Sequence, residues 1–292
     1  MTTLDKLRIL ELKMFDYFID VCAKYNLQWF SDAGTTLGTV RHGGFIPWDD
    51  DMDIMMPRKD YNRLLEIGPV EFNDPYFFQT PLTDTTSSVH IKIRYNNTTC
   101  MTKFDSLGTH HRGVFIDIFP LDAIPDDEEV YKNEIGFVRC LCHDTTFKFA
   151  GYKNHKEVSI IDSRQAFIML NKVLTDLSEQ NSSSKLVTDM AMHRFRKIIG
   201  LKYNRADYSS YLEFDFKGLK HKIRVPIGYD NILTAQYGDW RIEKHEPSIH
   251  NTLLVDLEHN YDKYDNITFE EYDRLVEENA YDKWNITLQN KI

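Results

Sequence analysis

The chain has 292 residues and a formal net charge of −10, from 35 Lys and Arg against 45 Asp and Glu. That acidic balance, with no basic stripe, excludes a protein whose main task is to hold nucleic acid, because phosphate backbones demand clustered cations. A hydrophobic share of 42% with 27% charged residues matches a globular chain able to bury a core. The four cysteines, Cys22, Cys100, Cys140 and Cys142, do not form a disulfide framework at this length, which predicts a reducing, cytoplasmic setting. The opening MTTLDKLRILELKMFDYF carries charges throughout and reads as neither a signal peptide nor a membrane span.

Leu7, Leu10, Met14, Phe18 and Cys22 recur at helical spacing and predict an amphipathic helix from Leu4 to Cys22. Leu27 to Ser31 predicts a short strand, Asp32 to Arg41 a turn into a short helix, and Gly43-Gly44 a bend. Met52 to Met56 reads as a buried strand ending at Pro57, with a helix from Arg58 to Ile67. Further strands are expected at Phe77 to Thr80, Val89 to Tyr95 and Val114 to Phe119, and this alternation predicts an α+β, mixed α/β core. From Asp126 to Lys202 the pattern is mostly helical, with a polar break at 181–184, and Val225 to Trp240 reads as a strand followed by a helix. With no repeat or linker in view, the expectation is one domain over residues 1–292, comprising a core (about 1–125), a helical insertion (about 126–224) and a closing motif (about 225–292).

RHGGFIPWDDDMDIMMPRKDY, residues 41 to 61, is the most informative segment. Residues two apart on a strand share a face, so Asp51 and Asp53 would project together, joined by Asp49 if the chain is already extended there. Carboxylates packed this closely repel one another unless a cation sits between them, and a hard divalent ion such as magnesium suits oxygen ligands. A solvated acidic loop is the bland alternative, but this run opens directly into the apolar Ile54-Met55-Met56. An EF-hand loop is excluded, since Ile54 stands where glycine is needed and Asp60 where glutamate is needed. Asp117 lies inside the apolar strand GVFIDIFPLD, residues 113 to 122, where desolvation demands a partner or a metal. Cys140-Leu-Cys142-His143 lacks zinc-site spacing, and His110-His111 read as loop residues.

The segments SDAGTTLGTVRHGGFIPWDDDMDI (31–54), HIKIR (90–94), GVFIDIFPLD (113–122) and VPIGYDNILTAQYGDW (225–240) resemble the LicD family. These are phosphocholine transferases that decorate bacterial surface glycans such as teichoic acid and lipopolysaccharide. More distantly, the segments are similar to the fukutin-related ribitol-phosphate transferases. The resemblance implies a nucleotidyltransferase-like core sheet with flanking helices. It implies Asp49, Asp51, Asp53 and Asp117 as catalytic metal ligands for magnesium or manganese, and Gly34-Thr35 opening a helix near the donor's phosphates. The donor would be CDP-choline or a related CDP-alcohol, the acceptor a glycan or lipid-linked glycan at the inner face of the membrane, and the product CMP. Asp117 and Asp49 both stand as general-base candidates. Arg41, His42, Lys92 and Arg94 are expected to meet donor phosphates, with plain surface charge as the competing reading, favoured for His42. Trp48 is expected to anchor the core, and Tyr237 and Trp240 are weaker candidates for a choline cation. True nucleotidyl transfer and a non-catalytic glycan-binding module are the alternatives.

Overall fold

A computed structural model describes residues 1–86, 88–147, 163–190, 201–244 and 253–278. Helix α1 (Thr3–Tyr25) starts at a capping box in which Thr2 and Asp5 satisfy each other's backbone N–H groups, and it stops at Asn26 in the left-handed conformation (φ 52°). Strand β1 (Phe30–Ser31) leads into α2 (Ala33–His42), which ends at Gly43 with φ 64°, a conformation glycine adopts without a Cβ clash. Then follow β2 (Asp53–Pro57), α3 (Arg58–Glu71), β3 (Tyr76–Gln79), β4 (Ile91–Tyr95), β5 (Thr99–Met101) and β6 (Phe115–Ile124).

The central sheet runs β1-β2-β6-β4-β3, with β2 and β6 parallel and the other neighbours antiparallel. The alternation of a strand explains its two faces. On one, Ile54, Met56, Ile91, Ile93, Ile116 and Ile118 are fully or almost fully buried beneath Leu7, Met14, Phe15 and Phe18 of α1 and Leu64 of α3. On the other, the residues between them alternate into the polar row described below. The mixed α+β class expected from the sequence is therefore the observed one.

Among the described residues of the span about 126–224, the α-helices fall in the first part. After α4 (Glu128–Phe147) and α5 (Ser163–Gln180), residues Leu186–Thr188 form β7 and Tyr203–Asn204 form β8. Strand β7 pairs with the far half of β6, Asp122 opposite Thr188, so this stretch extends the central sheet. Strands β9 (Tyr211–Phe214) and β10 (Ile223–Pro226) make a ribbon, α6 (Tyr229–Tyr237) follows, and β11 (Leu254–Asp256) pairs with β5. No described helix is long and apolar enough to cross a membrane. The side chains of Cys140, Cys142 and His143 lie outside the described residues, whereas Cys22 and Cys100 are buried and not disulfide-bonded.

Candidate active site

One polar row crosses the sheet. Asp53 on β2 faces Asp117 on β6, Asp117 faces Lys92 on β4, and Lys92 faces Gln79 on β3. Register partners share a face, so these side chains project to the same side, the one opposite α1. At the other end of the row the Asp32 amide donates to the Asp53 carbonyl at 3.1 Å. The order of strands thus brings together acids more than sixty residues apart in sequence.

Asp117 is the best-defined member. Its Oδ1 accepts from Lys92 Nζ at 2.5 Å and from His90 Nε2 at 3.1 Å. Burial alone would raise its pKa, but Lys92 and His90 outweigh burial and hold the carboxyl well below the usual carboxylate range. Burial pushes His90 the other way, below the ordinary imidazole value, against the pull of Asp117, so the ring is neutral near pH 7 and donates its Nε2 proton. The His90 ring packs 4.6 Å from Phe119, and Lys92 Nζ lies 3.8 Å above the Phe115 ring, which fixes both partners. His90 shares the alternation that places Lys92 and Arg94 on one face; extending that pattern two residues back would have revealed it.

The acidic loop is placed by contacts with α2. Asp51 sits in the approach to β2 and Asp53 opens the strand, with the buried Met52 between them. Asp53 N–H donates to Thr35 Oγ1 at 2.8 Å, tying β2 to the first turn of α2. The Asp49 carboxylate lies directly on Gly34, where a Cβ would come within 2.9 Å of Oδ2. Any larger residue at 34 would push Asp49 away from the helix N-terminus. Ala33 beside it has φ 42°, an uncommon conformation for a residue with a side chain.

Further groups feel the charge of these acids. Glu11 on α1 is buried, its Oε2 has no hydrogen-bond partner, and burial together with Asp51, Asp50 and Asp49 raises its pKa well above the usual range. Burial likewise raises Asp32, against the Ala33 amide and Gln236. Tyr237 of α6 is pushed far above its ordinary value, first by burial and then by the charges of Asp32, Asp53, Asp49 and Asp51. Tyr237 also lines a cleft of about 180 Å³ with Leu37, Arg41, Trp48, Gln236 and Trp240.

The four expected phosphate-binding cations take different places. Lys92 is in the row. Arg94 is buried and engaged by Gln79 Oε1 (2.5 Å) and the Gly113 carbonyl (2.7 Å), both within the scaffold. Arg41 lines the cleft and donates to the Trp240 carbonyl at 2.8 Å and to His42 Nε2 at 2.9 Å. Burial, then the Arg41 charge, lowers the His42 pKa, so this ring is a neutral acceptor. Trp48 packs against the core group of Leu37, Ile46, Leu233 and Trp240. The Trp240 ring is covered by the Arg241 guanidinium at 4.3 Å, and its Nε1 donates to Asp230.

Among the described residues no three His, Cys, Asp or Glu side chains are gathered around one point as a finished metal site. The donor set still has the right chemistry for a hard cation: only carboxylate oxygens, with Asp53 and Asp117 side by side on parallel strands.

Residues 26–156 match the family model described as "LicD/FKTN/FKRP, nucleotidyltransferase domain". The fold and the acidic row thus accompany a stretch, somewhat under half of the chain, that is similar to a LicD-type nucleotidyltransferase domain. Over 133 residues the chain is 29% identical to the lipopolysaccharide cholinephosphotransferase LicD of Haemophilus influenzae, covering 44% of this chain and 48% of that protein. It is 42% identical over 50 residues to an uncharacterized protein of Rickettsia prowazekii, covering 17% of this chain and 19% of the relative. An uncharacterized protein of Rickettsia typhi is 40% identical over 50 residues, covering 17% and 16%. The chain thus spans about half the length of the Haemophilus relative and under a fifth of the rickettsial ones.

Proposed function

We propose that this protein transfers phosphocholine, or a similar alditol phosphate, from a CDP-linked donor to a hydroxyl of a cell-surface glycan or its precursor, releasing CMP. The observation that carries this reading is the register of Asp53 against Asp117 within a LicD-type domain, together with the cholinephosphotransferase named among its relatives. Asp49, Asp51, Asp53 and Asp117 would hold magnesium or manganese. When bound, such an ion supplies Lewis-acid stabilisation of charge on the phosphoryl oxygens and the leaving group.

The chain's own groups have separable tasks in this scheme. Lys92 and His90 fix the orientation of the Asp117 carboxylate, as outer-shell partners do for metal-ligating groups. A carboxylate held so far below its usual range is a weak base, so Asp117 suits a ligand role. The N-terminal turn of α2, where Gly34 lets the Asp49 carboxylate approach closely, favours negative charge and would suit a phosphate group there. Arg41 and Tyr237 line the adjoining cleft, where the donor's remaining parts would lie. The proposed setting is cytoplasmic, at the membrane's inner face when the acceptor is lipid-linked.

The test is incubation with magnesium and a panel of CDP-alcohols, with CMP and the acceptor analysed separately. Release of CMP with a phosphoalcohol-labelled acceptor supports the reading. A nucleotide-labelled acceptor moves the chemistry to nucleotidyl transfer, and sugar binding without turnover of any donor makes the chain a binding module.

A further inference from the structure

Arg8 lies on α1, outside the residues 26–156 that match the family model. Its guanidinium reaches across to a single turn of the acidic loop and donates to three main-chain carbonyls. Nε and Nη2 reach Asp49 O at 3.0 and 2.7 Å, and Nη2 also reaches Ile46 O at 2.8 Å and Pro47 O at 3.0 Å. The turn itself is closed by the Asp49 N–H donating to Ile46 O at 3.0 Å, with Pro47 at its second position, where a fixed φ suits it. The guanidinium stands 4.9 Å from the centre of the Phe45 ring, and Phe45 packs edge-on against Phe216 at 5.2 Å.

Three carbonyl oxygens turned toward one point repel each other unless a donor fills that point. Arginine presents five N–H groups in a rigid plane and can satisfy all three together, whereas a lysine ammonium is a compact charge with three donors on a flexible stem. The same charge sits within the field of Glu11, Asp49 and Asp50. Asp49 is thereby held from both sides, its carbonyl by Arg8 and its carboxylate by contact with Gly34 of α2.

We propose that Arg8 is a positioning residue for the transfer: by clamping the turn Ile46–Asp49 it sets where Asp49, Asp51 and Asp53 stand relative to Asp117. This rests on the proposed metal-dependent function and extends that site to α1. The clamp acts through main-chain atoms, so removing it leaves every acid present but alters how they are presented.

The experiment compares full-length wild type with Arg8→Lys, Arg8→Met and Pro47→Gly, the last loosening the same turn while leaving Arg8 in place. Manganese binding is titrated by calorimetry without donor, and hydrogen exchange is followed at the amides of residues 49–53. Arg8→Lys is expected to bind manganese about 10–100-fold more weakly, the range seen for outer-shell partners. Exchange at 49–53 should quicken while that of α3 stays unchanged, and Pro47→Gly should reproduce both effects even if Arg8→Met fails to fold. A folded Arg8→Lys with wild-type manganese affinity and wild-type exchange overturns the clamp. A wild type that binds no manganese defeats the metal reading instead, and the exchange data then decide the clamp by themselves.

Discussion

Asp53 and Asp117 stand directly opposite each other on the parallel strands β2 and β6, so two carboxylates project from one sheet face at roughly the 4.8 Å strand spacing. Neither could be identified as the other's neighbour from sequence distance. Asp53→Asn and Asp117→Asn each preserve size and remove one charge. Each is expected to lower kcat by roughly 10²–10³-fold or more while circular dichroism and melting show a folded chain. Wild-type turnover in either folded variant would remove the paired acids from the mechanism.

Lys92 supports the low pKa of Asp117 across a buried contact. A carboxyl depressed in the folded state adds stability that is present above its unfolded pKa and lost as pH falls. In Lys92→Met that support disappears and the Asp117 carboxyl rises. The acid limb of the pH–kcat profile should therefore shift to higher pH, along with the midpoint of acid unfolding. Superimposable acid limbs for variant and wild type would show that Lys92 does not control Asp117.

His111 offers a stability prediction away from the acids. Burial and the nearby Arg94 hold its imidazole at about 3. Its Nδ1 accepts from Gly113 N–H at 3.1 Å, its Nε2 lies 3.0 Å from Asn96 Oδ1, and the ring stacks on Phe77 at 4.9 Å. The unfolded chain takes up this proton near pH 6.5 and the folded chain does not, so stability falls as pH drops between those values, by about 1.4 kcal/mol per pH unit. His111→Gln removes that dependence. Urea denaturation at pH 7.5 and 5 should show a smaller loss for the variant than for wild type, and equal losses would contradict the assignment.

The buried pair of Arg58 and Asp122 joins α3 to the far end of β6 by two parallel hydrogen bonds of 2.6 and 2.8 Å. Asn171 accepts a third at 3.0 Å, and both ions are almost wholly inaccessible. Arg58→Met leaves a buried carboxylate without its cation and should cost about 3–5 kcal/mol in urea unfolding. The double variant Arg58→Met/Asp122→Leu should recover a large part of that loss. A double variant less stable than the single one would mean that the pair contributes net stability of its own.

Apart from β5, the sequence made the elements up to β6 legible because their signals are local: helical spacing in α1, the glycine bend after α2, and apolar runs in β2 and β6. The acids at 49, 51, 53 and 117 were legible because carboxylates beside apolar runs demand an explanation. Pairing was not legible, since register between β2 and β6 is set by long-range packing. Hence His90 and Glu11 entered the site unannounced, Tyr237 was expected only as a weak contact for a choline cation, and Arg94, whose charge looked available, proved to be tied to Gln79 and Gly113. Strand β7 was hidden for a related reason: three residues carry too little periodicity to stand out beside a long helical pattern, and only pairing with β6 makes them a strand.

The position of α1 has a practical consequence. The stretch from 26 to 156 that is shared with relatives begins after this helix ends, yet the Ile and Met plate of the sheet is roofed by it. A fragment trimmed to the shared stretch would present that plate to water as a broad greasy surface, the kind that drives clumping rather than clean folding. Homology boundaries and the packing of the sheet do not coincide here, and expression should keep α1 together with its Thr2 cap.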